Sequence, residues 1–287
     1  MIDFYKKLKS PFKLGTQTFP NRLWLASGTI GFGEDLIELI DINKPGGLVL
    51  KGTTLEPKDG NPLPRLAETP SGLLNAIGLQ NPGIHAVIKD KLPLLQGYKT
   101  PLILNIAGKN MEEYETLAKI IGLNPMIHAL EVNLSCPNVE KVMDMGTNPA
   151  WIESIIKKIK THCSLPVIAK ITPNVTDITS LALAAENGGA DAVSLINTLL
   201  GMAFDTKTQA PVLANKMGGL SGPAIKPIAV RMVYQVRQKT KLPIIGMGGI
   251  MTLNDIFEFF CAGADAVQLG TANFIDIVEL NKLLAYV

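Results

Sequence analysis

Eight short apolar runs, each followed by a polar turn and then by a helix-patterned stretch, constrain this chain more than any other feature. They are RLWLAS (22–27), GLVLKG (47–52), PLILNIAG (101–108), ALEVNLS (129–135), PVIAKIT (166–172), DAVSLINT (191–198), PIIGMGG (243–249) and DAVQLGT (265–271). Apolar residues run on without alternation, as in strands buried on both faces. Between them MEEYETLAKIIG, NPAWIESIIKKIKTHC, DITSLALAAENGG and NDIFEFFCAGA carry helical periodicity. Asn148 and Pro149 open one helix, while Gly122 and the Gly188-Gly189 pair close others. Eight such units predict an α/β fold, a TIM (β/α)8 barrel, rather than an open doubly wound sheet. No G-x-G-x-x-G follows the first run, as a dinucleotide-binding sheet would require. The 287 residues, 47% hydrophobic and 18% charged, suffice for one such domain over 1–287, and no linker divides them.

Ahead of the first run, FKLGTQTFPN (12–21) reads as a small hairpin placed to plug the barrel floor. Two connections, 53–100 after the second strand and 199–242 after the sixth, exceed a plain crossover, and long loops in compact domains carry function. Lys and Arg number 27 against 25 Asp and Glu, a formal +2 that argues against a nucleic-acid partner. No apolar run approaches the roughly eighteen residues of a membrane span, and the N-terminus lacks the apolar stretch of a secretory signal. Cys136, Cys163 and Cys261 lie far apart, which points to a reducing, cytoplasmic setting.

A barrel of this kind works at the C-terminal ends of its strands. Those ends read Ser27, Lys51, Asn105, Asn133 with Ser135 and Cys136, Lys170, Asn197 with Thr198, Gly248 with Gly249, and Gly270 with Thr271. Two lysines, three asparagines and a cysteine on one rim need partners that a planar polar ligand would supply. GMGGI (246–250) beside GTANF (270–274) offers backbone N–H groups for a phosphate, belonging either to a substrate or to flavin mononucleotide (FMN).

Cys136 directly follows the fourth strand in NLSCPN (133–138), with Pro137 fixing the turn. A thiol there serves as nucleophile or as proton-abstracting base. His85, His128 and His162 fall away from the strand ends, so a thiol working without histidine favours proton abstraction over acyl transfer. No metal-ligand spacing occurs, so neither a metal nor an iron–sulfur cluster is expected within this chain. Cys163 and Cys261, each in a helical stretch, read as buried and inert.

The motifs resemble one family along nearly the whole chain. ASG (26–28), KGTTLEPKDGNPLPRLAETPSGLLNAIGLQNPG (51–83), NLSCPN, AKITPN (169–174), INT (196–198), GGLSGPAIKP (218–227), GMGGI and GTANF occur in the order found in class 1 dihydroorotate dehydrogenases. The likeness is greatest to the class 1B catalytic subunit. The resemblance implies an FMN-holding barrel that oxidises dihydroorotate to orotate in pyrimidine (UMP) biosynthesis. Cys136 then takes a proton from carbon 5 while carbon 6 delivers hydride to the flavin. A serine at 136 would instead point to the membrane-associated class 2 enzymes. Carried over by motif, Lys51, Asn75, Ala76, Ile77, Gly78, Leu79, Asn133, Asn138, Asn197 and Thr198 are substrate-binding. Ser27, Lys51, Gly52, Asn105, Asn133, Lys170, Ile196, Gly222, Gly248, Gly249, Gly270 and Thr271 match flavin-binding positions. Two departures stand out. VEKVMDMG (139–146) lacks an expected glycine pair, and a single helix follows GTANF where relatives continue further.

No second cofactor site is legible, so electrons leave either to a small oxidant or to a partner protein. The class 1B likeness implies a homodimer core in a heterotetramer of two plus two. Its partner subunit carries FAD and [2Fe-2S] and passes electrons to NAD. Rival readings are a fumarate-dependent class 1A enzyme, a dihydropyrimidine dehydrogenase-type flavin barrel, a phosphate-binding lyase or isomerase barrel, and a non-catalytic scaffold.

Overall fold

The computed structural model describes residues 3–135 and 145–287. A short helix α1 (Phe4–Lys9) leads into the hairpin β1 (Phe12–Leu14) and β2 (Gln17–Phe19). Barrel strands β3 (Leu23–Leu25) and β4 (Gly47–Thr53) follow, then a first excursion containing β5 (Leu66–Thr69) and β6 (Gly72–Asn75). The chain returns through α2 (Ile84–Ala86) and irregular helical turns to Leu95. It then builds β7 (Leu102–Ile106), α3 (Met111–Ile121), β8 (Ile127–Asn133), α4 (Pro149–His162), β9 (Val167–Lys170), α5 (Ile178–Asn187) and β10 (Ala192–Leu195). A second excursion holds β11 (Leu199–Met202), β12 (Phe204–Asp205), β13 (Ala210–Pro211) and β14 (Met217–Ser221). Then come α6 (Lys226–Arg237), β15 (Ile244–Met247), α7 (Leu253–Ala262), β16 (Ala266–Leu269), α8 (Ala272–Ile275) and α9 (Ile277–Leu284).

Strands β3, β4, β7, β8, β9, β10, β15 and β16 close into a parallel barrel, so all eight apolar runs are its staves. Helix starts follow the sequence signals. Asn148 caps α4, its Oδ1 accepting from Ala150 N–H (3.0 Å) and from Trp151 N–H. Gly122 and Gly188 cap the ends of α3 and α5. The inward stripe of α4, Ile152, Ile155, Ile156 and Ile159, is fully buried. Each such side chain contributes about 1.5–3 kcal/mol relative to exposure.

Phe12, Leu14 and Phe19 of the hairpin plug the floor, as the sequence suggests. They pack with Trp24, Val49, Ile103, Ala129, Ile168, Ala192, Ile245 and Ala266, which come one from each barrel strand. The Phe19 ring lies tilted by 37° against Trp24, their centroids 4.5 Å apart. The two excursions, one after each of the long-connection strands, meet in a single antiparallel sheet ordered β11-β14-β6-β5. Its central pairing sets Asn75 opposite Gly219. Among the described residues no helix is long and apolar enough to cross a membrane.

Candidate active site

Strand side chains alternate in direction, so two residues beyond the floor layer the same strands face inward again. At that level the interior turns polar: Asn105, Glu131, Lys170, Ser194 and Gln268 stand where Ile103, Ala129, Ile168, Ala192 and Ala266 stood below. Glu131, fully buried, is their hub. Its Oε1 accepts from Asn105 Nδ2 (2.7 Å) and lies 3.4 Å from Lys170 Nζ. Its Oε2 accepts from Ser194 Oγ (3.0 Å) and Gln268 Nε2 (2.9 Å). Burying a charge demands this kind of surround, an ammonium and three hydrogen-bond donors. Two acceptors of the layer, Asn105 Oδ1 and Gln268 Oε1, are buried with no partner.

One level higher, a line of polar groups crosses the rim. Asn197 Nδ2 donates to Asn133 Oδ1 (3.3 Å), and Thr198 N–H donates to Asn197 Oδ1 (2.8 Å). A Cβ on Gly219 would fall 2.1 Å from Thr198 Oγ1, so only glycine lets β14 lie against Thr198. Asn75 Nδ2 in turn donates to Gly219 O (3.1 Å). Thus Asn75, Thr198, Asn197 and Asn133, separated by up to 123 positions in sequence, form one connected edge through the excursion sheet. Tyr114 Oη donates to Asn133 O (2.6 Å) and fixes that strand end from α3.

The segment holding Ala76, Ile77, Gly78 and Leu79 turns back over the mouth. Gly78 and Leu79 both take positive φ, 74° and 55°. Asn61 holds the turn, its N–H donating to Ile77 O (3.0 Å) and its Nδ2 to Ala76 O (2.9 Å). Leu79 reaches Gly52: a Cβ at Gly52 would sit 3.3 Å from Leu79 Cδ2 and 3.0 Å from Asn105 Oδ1. Gly52 reaches this position because β4 carries a bulge between Leu50 and Thr53. Beside that bulge Lys51 lines a cleft of about 510 Å³ with Gly31, Glu34, Asn81 and Lys91. Burial, and then the nearby Arg65 guanidinium, pushes the Lys51 ammonium below its usual range.

The remaining glycines gather just beyond the ends of β14, β15 and β16. Gly222 (φ 94°), Gly248 (φ 121°) and Gly249 (φ 73°) lie in the left-handed region. A Cβ at Gly222 would lie 3.4 Å from Thr271 Cγ2, one at Gly249 2.8 Å from Gly222 O, and one at Gly248 3.3 Å from Ile196 Cγ1. Thr271 Oγ1 donates to Ser221 Oγ (2.9 Å), tying the last strand to the second excursion. Gly270 faces Ala26 across the β16–β3 seam, and Ser27 follows it half-buried. Close packing and positive φ require glycine in these turns, which form a cradle of the kind whose backbone N–H groups can bind a phosphate.

Cys136 and Asn138 lie outside the described residues. The described neighbours on either side stand at the rim. Ser135 N–H donates to Asn133 Oδ1 (3.2 Å), and Gly146 packs against Leu134, where a Cβ would fall 2.0 Å from Leu134 O. Of the other thiols, Cys163 is buried, which pushes its thiol up from the usual range, as expected of an inert group. Cys261 corrects the sequence reading. It sits on α7 as expected but is exposed, because Ile256, Phe259 and Phe260 occupy the inward stripe of that helix. His128 sits in a second bulge at the start of β8, where its Nδ1 accepts from Leu102 N–H (3.2 Å), far from the rim.

Reading only strand ends misses Glu131, Ser194 and Gln268. The signal that finds them is parity: in ALEVN and DAVQL a polar residue interrupts the apolar run at an inward position, two beyond the floor alanine.

The chain matches the family model described as dihydroorotate dehydrogenase over residues 11–285. It is 53% identical over 266 residues to a protein of Geobacillus sp. (strain WCH70), covering 92% of this chain and 85% of that one. A relative from Anoxybacillus flavithermus is 53% identical over 272 residues, covering 92% and 87%. One from Bacillus cytotoxicus is 52% identical over 267 residues, covering 90% and 86%. All three bear the name dihydroorotate dehydrogenase B (NAD(+)), catalytic subunit. With a barrel whose open end carries this polar layer and glycine cradle, and with that match over nearly its whole length, the chain belongs to the dihydroorotate dehydrogenase family.

Proposed function

We propose that this chain is the FMN-holding catalytic subunit of a class 1B dihydroorotate dehydrogenase, oxidising dihydroorotate to orotate for pyrimidine biosynthesis in the cytoplasm. The observation that carries this reading is the polar layer at the open end, with its two buried acceptors awaiting a ligand donor. FMN fits the residues present. Its phosphate suits the cradle of Gly222, Gly248, Gly249, Gly270 and Thr271, and its pyrimidine edge supplies an N–H and carbonyls for Asn105 and Lys170. Ser27, Lys51, Gly52, Asn133 and Ile196 complete the proposed flavin positions, within one domain over 1–287. When bound, the flavin supplies the acceptor for the hydride from carbon 6 of the substrate.

The protein's own part is positioning and proton removal. Asn75, Asn133, Asn197 and Thr198 form the connected edge that orients the substrate, with Asn138 joining them by motif. Asparagine amides offer both donors and acceptors, as the imide and carboxylate of orotate require. The backbone of Ala76, Ile77, Gly78 and Leu79 closes over the mouth, and Lys51 brings a cation to the substrate carboxylate. Cys136 Sγ takes the proton from carbon 5. Lys170 would set a positive charge beside the bound flavin, a charge suited to stabilising its reduced form.

The relatives' name, a catalytic subunit with NAD(+), supports an electron-transfer partner. By the class 1B likeness that partner carries FAD and [2Fe-2S], in a two-plus-two assembly about a homodimer of this chain. The deciding test is acceptor use by the purified chain after FMN loading. Dihydroorotate should be oxidised with artificial dyes, while NAD⁺ reduction should appear only on adding the partner. Robust NAD⁺ reduction by the chain alone would contradict class 1B, and turnover sustained by fumarate would make it class 1A. Tighter binding of uracil than of orotate would favour the dihydropyrimidine dehydrogenase-type reading.

A further inference from the structure

We infer that Glu131 is a positioning residue that decides which end of the Asn105 and Gln268 amides faces the ligand; the inference rests on the flavin reading above. An amide has one donating and one accepting end. Around Glu131 both amides spend their donating ends on the carboxylate, Asn105 Nδ2 at 2.7 Å and Gln268 Nε2 at 2.9 Å. Ser194 Oγ and Lys170 Nζ occupy the remaining approaches to its oxygens, at 3.0 and 3.4 Å. A charged carboxylate only accepts, so neither amide can turn over without setting oxygen against oxygen. The consequence is seen in the structure: Asn105 Oδ1 and Gln268 Oε1 are the ends left over, buried and unpartnered. Gly52 keeps the approach to one of them open, since any side chain there would begin 3.0 Å from Asn105 Oδ1. The layer is thereby set to accept an N–H from its occupant, and the pyrimidine edge of FMN offers one at N3. Buried acceptors left unpaired are costly, so this arrangement selects for that hydrogen.

The test compares two flavins on the apoprotein, FMN and its N3-methyl analogue, by quenching of flavin fluorescence. The wild-type chain should prefer FMN by at least about tenfold, the scale of one buried hydrogen bond and its desolvation. In Glu131→Gln the new NH2 must find an acceptor, which turns Asn105 or Gln268 around, and the preference should shrink to within about threefold. The swapped pair Glu131→Gln with Asn105→Asp restores an acceptor at 105 and should restore the preference. A structural role alone would weaken both flavins equally and keep their ratio. An unchanged ratio in Glu131→Gln, with FMN still bound, overturns the role of Glu131 and leaves the flavin reading intact. Failure of the wild-type chain to bind FMN overturns both. If Glu131→Gln does not fold, the swapped pair decides: a ratio at the wild-type level supports the inference, and a lost one overturns it.

Discussion

The floor and the upper layer of this barrel are built by the same strands two residues apart, yet they obey opposite rules. On β8 the floor residue is Ala129 and the upper one Glu131; on β16 they are Ala266 and Gln268. Below, every inward side chain is apolar and the hairpin seals it with Phe12, Leu14 and Phe19. Above, a buried carboxylate gathers an ammonium and three donors, and leaves two acceptors unmet. The floor is complete in itself, whereas in the proposed reading the upper layer is completed by a ligand. The barrel thus separates stability from chemistry by one inward step along each strand, about 7 Å.

The largest effect should come from Cys136→Ala. Turnover of dihydroorotate should fall by about 10²–10⁴-fold, the usual worth of a positioned base, with FMN binding and melting unchanged. Wild-type turnover should rise with pH as the thiol ionises, and a flat profile would count against the thiol as base. Next, Phe19→Ala at the floor should lose about 3–5 kcal/mol of stability. Because the floor lies one inward step below the proposed flavin layer, the gain from FMN at a hundredfold its Kd, about 2.7 kcal/mol, should survive in full. Lys170→Met, which also strips Glu131 of its ammonium and so costs stability, should in addition cut that FMN gain by about 1.4 kcal/mol, a tenfold loss of affinity. The difference between melts with and without FMN separates the two layers, and equal losses of the gain in both variants would break the comparison.

The smallest effect belongs to the surface, away from both layers. Hydrogen bonds from Lys119 and then Lys158 hold the Glu115 carboxyl down at about 2, from 4.5. A carboxyl lowered on folding stabilises above its unfolded pKa and loses that contribution as pH falls toward the folded one. Glu115→Gln should therefore lower the Tm slightly at neutral pH, and the gap should close between pH 4.5 and 2. A gap that persists at pH 2 would contradict the assignment.

Much of this was legible because local pattern decides it. Near-continuous apolar runs mark the staves, a Gly-Thr turn between Phe12–Leu14 and Gln17–Phe19 marks the plug, and strand-end polarity marks the rim. What escaped depends on contacts distant in sequence. Gly219 meets Asn75 only after both excursions fold, and Asn75 and Thr198 join one edge only through that pairing. Glu131 draws its partners from β7, β9, β10 and β16, so its place as a hub shows only when the barrel closes. The β4 bulge that turns Lys51 toward the cleft has no signature beyond one glycine. The exposure of Cys261 was available from helical phase, since Ile256 and Phe259 of the inward stripe stand five and two positions before it, on the far side of the helix.

The central claim is that the polar upper layer holds a flavin within reach of dihydroorotate. Anaerobic mixing of the FMN-loaded chain with dihydroorotate in a stopped-flow instrument tests it most directly. The account predicts rapid bleaching of the flavin's visible band in wild type and only slow bleaching in Cys136→Ala. A wild-type flavin that stays bound and yellow in the presence of saturating dihydroorotate would contradict it.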